Sequence, residues 1–390
     1  MLALLLACSN TNSSESSNAD SASTVDPAGN EMEGGEAALT DYAKTLPLDK
    51  IKLPSGFTID VYAEVENARS MALSPSGVLY IGNRDKDKVY AVKDTDGDFK
   101  ADKKWVLASG LNMPNGVAFK DGDLYIAEVS KISKIAGVES KLANPPTPTT
   151  VKDDYPTETH HGWKYIAFGP DGKLYVPVGA PCNICEPKEE IYASITRIDS
   201  DGSGLEIFSK GVRNSVGFTW HPDTKELWFT DNGRDMLGDE IPSCELNHAP
   251  KTGMHFGYPY CHEGVIKDPE FGKKPCSDFV PPADKLGPHV APLGLKFYTG
   301  NMFPSQYKNQ LFVAEHGSWN RSKKSGYNVS LVKVTNNNKV TGHEVFASGW
   351  LDEAAQKAWG RPVDVLLLPD GSMLVSDDQA NVVYRISYRG

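Results

Sequence analysis

YIAFGPDGKLYVPV, residues 165–178, joins an apolar run to a second one opening at Leu174 through the turn Gly169-Pro-Asp-Gly172. Turn residues set between two short β-prone runs mark a hairpin. The same unit recurs as SMALSPSGVLYIGN (70–83), GVAFKDGDLYIAE (116–128), GFTWHPDTKELWFTD (217–231), LKFYTGNMFPSQYKNQLFVAE (295–315) and DVLLLPDGSMLVSDD (364–378). The second strands open at Leu79, Leu124, Leu174, Leu227, Leu311 and Met373, giving spacings of 45, 50, 53, 84 and 62 residues. Four-stranded propeller blades take roughly 40–50 residues each. Six hairpins therefore predict six blades, with insertions at roughly 234–290 and 314–327 in the two long intervals. KVYAVK, WVLASG, SITRID, LEIFSKG, VSLVKV and HEVFASG supply outer strands. Phe57-Thr-Ile-Asp-Val-Tyr62 alternates cleanly and is expected to complete the last blade beside Val382 to Ile386. Closing the ring removes exposed sheet edges. The expected fold class is all-β: a six-bladed β-propeller of four-stranded antiparallel blades, spanning residues 49–390 and closed by an N-terminal strand. A β-sandwich would not account for one turn repeated six times.

Composition agrees with this reading. The 35 glycines and 26 prolines favour a turn-rich β architecture, and a net charge of −11 with 39% hydrophobic residues excludes a basic nucleic-acid binder and a polytopic membrane protein. MLALLLAC (1–8) resembles a lipoprotein cleavage box, so Cys8 is expected to be lipidated, the alternative being a truncated secretion signal. From Ser9 the chain is rich in Ser, Asn, Glu, Gly and Ala, lacks aromatic residues to about Ala38, and reads as a disordered tether over 9–48. The protein is then exported, periplasmic or anchored at a bacterial outer membrane, touching membrane only through the lipid. Export favours paired thiols. Cys182 with Cys185 is expected to form a local disulfide and Cys261 with Cys276 a loop staple, leaving Cys244 free.

Residues just before each first strand and just after its partner should meet at one end of the central channel. The first group is Arg69, Asn115, His160-His161, Arg213-Asn214 and Arg361; the second is Asn83, Glu128, Val178, Asp231, Glu315 and Asp377. Arginines, a histidine and asparagines converging in an acidic chain suit a compact anion with several oxygens. His316 and Arg321 follow the fifth second strand, and Trp319 between them is the best placed tryptophan for stacking on a substrate. Trp163, Trp220 and Trp228 are expected inside strands. Asn232-Gly-Arg-Asp235 is a bend whose carbonyls suit a hard cation such as calcium. Asp94-Thr-Asp-Gly-Asp98 with Asp102 reads as a solvated acidic turn, and His255, His262 and His289 as loop histidines.

Taken together, NMPNGVAFKDGDLYIAE (112–128), HHGWKYIAFGPDGKLYV (160–176), GVRNSVGFTWHP (211–222), HFGYPYCHEG (255–264), the stretch Leu286–Arg321 and GRPVDVLLLPDG (360–371) resemble the glucose/sorbosone dehydrogenase family. These are soluble six-bladed propellers using pyrroloquinoline quinone (PQQ), and the likeness is greatest to the L-sorbosone or pyranose dehydrogenase branch. The resemblance implies His161 as catalytic base, Asn115, Arg213, Asn214 and Arg361 at the cofactor, and backbone carbonyls of Gly233 and Arg234 on a cofactor-linked Ca2+. His160, Trp319, His316 and Asp231 are assigned to the substrate or to support behind the site. Sugar-oxidising relatives carry a second arginine where this chain has Val363 and a lysine after the fifth-blade strand where it has HGSWNR, so Arg321 is expected to supply the missing charge.

The implied cofactor is a planar tricarboxylate ortho-quinone, which makes a basic pocket intelligible. The implied reaction removes a proton from a sugar hydroxyl or aldehyde hydrate at His161 as hydride leaves for the quinone. No CxxCH occurs, so a quinone or cytochrome acceptor must be a separate partner. A rival reading is a calcium-dependent lactonase drawing on Asn83, Asn115, Glu128, Asp231 and Glu315; a third is a non-catalytic carbohydrate-binding propeller.

Overall fold

Runs such as Leu79–Asn83, Leu174–Val178, Leu227–Asp231, Leu311–Glu315 and Met373–Asp377 show no apolar-polar alternation because every residue in them is buried. Each is the second strand of a sheet covered on both faces by its neighbours, the setting in which a strand reads as a continuous apolar run. The computed structural model describes residues 35–390. Those residues form six blade sheets, antiparallel but for one added edge strand, arranged as a propeller, with two further two-stranded ribbons, Cys261–His262 with Ile266–Lys267 and Leu351–Asp352 with Lys357–Ala358. Cys8 and the proposed signal lie outside the described residues.

From the axis outward, blade 1 is Ala68–Leu73, Leu79–Asn83, Val89–Lys93 and Lys103–Ala108; blade 2 is Gly116–Lys120, Asp123–Ala127, Ile132–Ile135 and Thr149–Lys152. Blade 3 is Ala167–Phe168, Leu174–Val178, Ser194–Ile198 and Glu206–Lys210, with Met254–His255 added in parallel at its edge. Blade 4 uses Phe218–Trp220, Leu227–Asp231, Ser243–Ala249 and Asp284–Pro288, and blade 5 Pro292–Phe297, Leu311–Glu315, Asn328–Val334 and Val340–Ala347. Blade 6 is Pro362–Leu367, Met373–Asp377, Val382–Tyr388 and the closing strand Phe57–Glu64, whose register pairs Phe57 with Tyr388 and Glu64 with Val382. The ring thus closes as the alternating FTIDVY segment predicts.

Two features depart from expectation. Order begins before residue 49: Glu36–Ala37 pairs with Lys103–Lys104 of blade 1, Ala38 is fully buried, and Leu39, Ala43, Leu46 and Leu48 pack on the core between blades 5 and 6. Apolar residues too sparse to fold alone are enough to dock on a preformed surface. The second departure is the long blade 4 interval, which is not wholly an insertion, because Ser243–Ala249 and Asp284–Pro288 are that blade's outer strands.

The core lies between blades. Phe57 of the closing strand meets Phe303, Tyr307 and Phe346 edge to face at centroid distances of 4.7, 5.4 and 5.0 Å. Each such pair adds about 0.5–1.5 kcal/mol beyond area burial, so ring closure is locked by blade 5 as well as by backbone pairing. Cys182–Cys185 and Cys261–Cys276 are disulfides and Cys244 is a buried free thiol, as the spacing suggests.

Candidate active site

The site forms where the chain enters the innermost strands. In blade 3 that strand is only Ala167–Phe168, and the residues before it run as an irregular segment over the channel mouth. His161 sits there in a left-handed conformation, φ 52°, with its Nδ1 2.9 Å from the carbonyl oxygen of Ala180. A carbonyl only accepts, so Nδ1 carries the proton and Nε2 keeps its lone pair. Burial, reinforced by the Arg213 charge, pushes the imidazole down to about 2. Gly179 lets the ring in: a Cβ there would stand 2.5 Å from the His161 Cβ.

Arg213 and Asn214 are fixed from below. The Asp231 carboxylate accepts from the Arg213 amide at 2.8 Å and the Asn214 amide at 2.7 Å. The Arg213 guanidinium donates to the Asn183 carbonyl and side chain, both at 2.8 Å, and to the Asn232 carbonyl at 3.1 Å. Asn183 belongs to the four-residue loop tied by Cys182–Cys185, so that staple positions the acceptor of a pocket arginine. On the opposite wall Asp378 bridges Arg69 Nη1 and His316 Nε2, each at 2.8 Å. Although burial works against it, His316 and Arg69 hold Asp378 far below the usual carboxylate range. Burial takes His316 to about 4. Arg361 donates from Nε to the His316 carbonyl at 2.9 Å and from Nη2 to that of Gly317 at 2.6 Å.

Arg69, His161, Arg213, Asn214, His316 and Arg361 line one cavity of about 400 Å³, together with Arg84, Trp163, Asn232, Gly233, Asp235, Cys244, His289 and Trp319. The volume is that of a small-molecule site. Four arginines, 69, 84, 213 and 361, face it against a single lining carboxylate, Asp235, so the pocket is built for an anion.

Residues 138–345, over half of the chain, match the sequence profile described as Glucose / Sorbosone dehydrogenase. The chain belongs to that family. It is 34% identical over 359 residues to an uncharacterized protein of Borreliella burgdorferi, covering 87% of this chain and 91% of that one. It is also 29% identical over 120 residues to the aldose sugar dehydrogenase YliI of Escherichia coli, covering 30% of each. The holo form of the pyranose dehydrogenase PQQ domain from Coprinopsis cinerea shares the fold with a TM-score of 0.73 at 19% identity, over 86% of this chain and 97% of that one. The family member described here is thus related to PQQ-dependent sugar dehydrogenases.

Of the residues singled out in the sequence, Arg69, His161, Arg213, Asn214, Gly233, His316, Trp319 and Arg361 face the cavity. Asn115 does not. It lies fully buried beneath, accepting from Arg69 Nε at 2.8 Å and donating to the Lys164 carbonyl at 2.8 Å. His160 is exposed, its ring 4.1 Å from that of His161. Arg321 must be corrected: it turns outward to Glu240 at 2.7 Å and the Asp239 carbonyl at 3.1 Å, so it brings no charge to the pocket. The Arg234 side chain is buried against Asp268, away from the cavity. Trp163 is not a strand residue but a pocket wall. His289, read as a loop histidine, lines the cavity, its Nε2 2.8 Å from the Gly238 carbonyl.

The ring of polar residues at the ends of the second strands is scaffolding. Glu128 pairs with Lys131 at 2.7 Å, Glu315 accepts from Ser330 and Asn328, and Asp377 accepts from the Ala380 amide and Tyr384 hydroxyl. None of these lines the cavity, which deprives the lactonase reading of its ligands. The acidic turn is more convergent than expected: oxygens of Asp94, Asp96 and Asp102 lie within 4.8 Å of one another at the outer edge of blade 1.

The pocket residues fit a planar tricarboxylate. Arg84 has no hydrogen-bonded acceptor for its Nε and Arg361 leaves Nη1 unengaged. Among the described residues nothing donates to the carbonyls of Gly233 and Arg234, oxygens of the kind calcium takes.

Proposed function

We propose that this protein is a PQQ- and calcium-dependent dehydrogenase that oxidises an aldose or a sorbosone-like sugar aldehyde. The carrying observation is a neutral imidazole, with Nε2 free, in a cavity lined by four guanidinium groups and one carboxylate. Arg213, Arg361 and Asn214 would hold the cofactor, with Gly233 and Arg234 carbonyls on its metal. When bound, the quinone supplies the hydride acceptor.

The chain's own residues do the rest. Trp319, 71% exposed at the cavity rim, offers an aromatic face to the apolar side of a sugar ring. His161 Nε2 accepts the proton of the reacting hydroxyl, and the Ala180 carbonyl stabilises the imidazolium that results, since Nδ1–H already points at it. Burial favours return of that proton once product leaves. Two disulfides agree with an exported protein.

The test is to purify residues 35–390, add PQQ and calcium, and follow artificial-dye reduction over aldoses and sorbosone. Reduction that needs both additions supports the reading. Lactone hydrolysis with metal alone, or sugar binding without dye reduction, refutes it.

A further inference from the structure

Arg84 follows the blade 1 strand Leu79–Asn83, and its guanidinium carbon lies 4.0 Å from the centre of the Trp163 ring. Stacking fixes the plane of the fork without satisfying its donors. Its Nε is closed to solvent and has no hydrogen-bond partner, and the nearest carboxylate, that of the exposed Asp85, stands 3.7 Å away, too far for a hydrogen bond. The other pocket arginines are engaged: Arg213 at all three nitrogens, Arg69 at Nε and Nη1, Arg361 at Nε and Nη2. A shielded donor without an acceptor is destabilising, and native structures keep one where something else completes it. Positive neighbours make the position less comfortable still, since burial and the Arg69 charge both disfavour the Arg84 cation. An anionic acceptor entering the cavity would relieve all of this at once.

We propose that Arg84, laid flat on Trp163, is the pocket's receptor for a ligand carboxylate, taking at the blade 1 wall the role that sequence reasoning gave to Arg321. This rests on the dehydrogenase reading above. The carboxylate belongs either to the cofactor or to an acidic sugar, and a rigid planar fork suits both through two parallel N–H···O bonds.

The experiment titrates PQQ, with calcium present, into the wild-type protein and its Arg84→Gln and Arg84→Lys variants by calorimetry, then compares KM for a hexuronate and its parent hexose in the loaded enzymes. A cofactor carboxylate predicts affinity at least about ten-fold weaker in Arg84→Gln, partly regained in Arg84→Lys. A substrate carboxylate predicts unchanged PQQ affinity and about a ten-fold rise in KM for the hexuronate alone. The lysine variant keeps the charge and serves if the glutamine variant melts early. Variants that match wild type in both measurements overturn the Arg84 assignment and leave the dehydrogenase reading standing. A wild-type protein that gives no heat with PQQ overturns that reading, and this proposal with it.

Discussion

Replacing His161 with asparagine should make the protein less sensitive to acid while almost silencing turnover. Asparagine tolerates the left-handed backbone found at this position, so the fold is kept. The native imidazole is held near 2 by burial, whereas in the unfolded chain it titrates at about 6.5. Between those values the unfolded state binds the extra proton, so wild-type stability falls as pH drops below the unfolded pKa. Each pH unit contributes about 1.4 kcal/mol. From pH 7 to 4.5 the wild type should therefore lose about 2.6 kcal/mol through this one group, and His161→Asn should lose none of it. Urea melts of both proteins at pH 7 and pH 4.5 measure the difference. In parallel, turnover of the loaded enzyme should fall about 10²–10⁴-fold, the usual contribution of a positioned base, with PQQ affinity retained. Equal acid destabilisation of the two proteins would show that His161 is charged or exposed in solution. Turnover within a few-fold of wild type would remove it from the chemistry.

Other perturbations probe the supports. Asp378→Asn removes the partner of both Arg69 and His316 and leaves the Arg69 guanidinium, 1% exposed, without its carboxylate; urea unfolding should show a loss of about 3–5 kcal/mol, and a loss under about 1 kcal/mol would mean water already serves that charge. Opening the Cys182–Cys185 loop by a double alanine substitution frees Asn183 from Arg213, so calorimetry should report weaker cofactor binding at nearly unchanged melting temperature; unchanged affinity would show that the Arg213 fork needs no such brace. Trp319→Ala should raise KM for sugar and leave PQQ affinity and melting temperature alone, because the ring is 71% exposed; a fall in kcat at constant KM would contradict a binding role.

Hairpin turns made the propeller legible, since one turn repeated six times admits few closures and FTIDVY had a single unpaired edge to join. The site was half legible, and the division has a physical cause. Positions at the entry to the innermost strands, such as Arg69, His161, Arg213 and Arg361, are carried to the axis by the blade itself, so spacing finds most of them, Asn115 being buried beneath the pocket instead. Positions at or just past the ends of the second strands lie one strand further out, where a polar side chain meets its own blade before it meets the channel; Glu128, Glu315 and Asp377 are bonded there accordingly. Beyond those ends the chain leaves strand periodicity, and register no longer predicts direction. That is why Arg321, six residues past Glu315, could be read into the pocket although it pairs with Glu240, while Arg84, one residue past the singled-out Asn83, went unnoticed. Its stacking partner Trp163 reads as blade packing because it stands just ahead of the apolar run Tyr165–Phe168; the shortness of the blade 3 inner strand, Ala167–Phe168, is what frees it to face the cavity. On the assignment proposed for Arg84, the positive charge that Val363 lacks is supplied from blade 1, the neighbour of blade 6 in the closed ring, so the pocket's charge balance can be kept by an arginine at a different address.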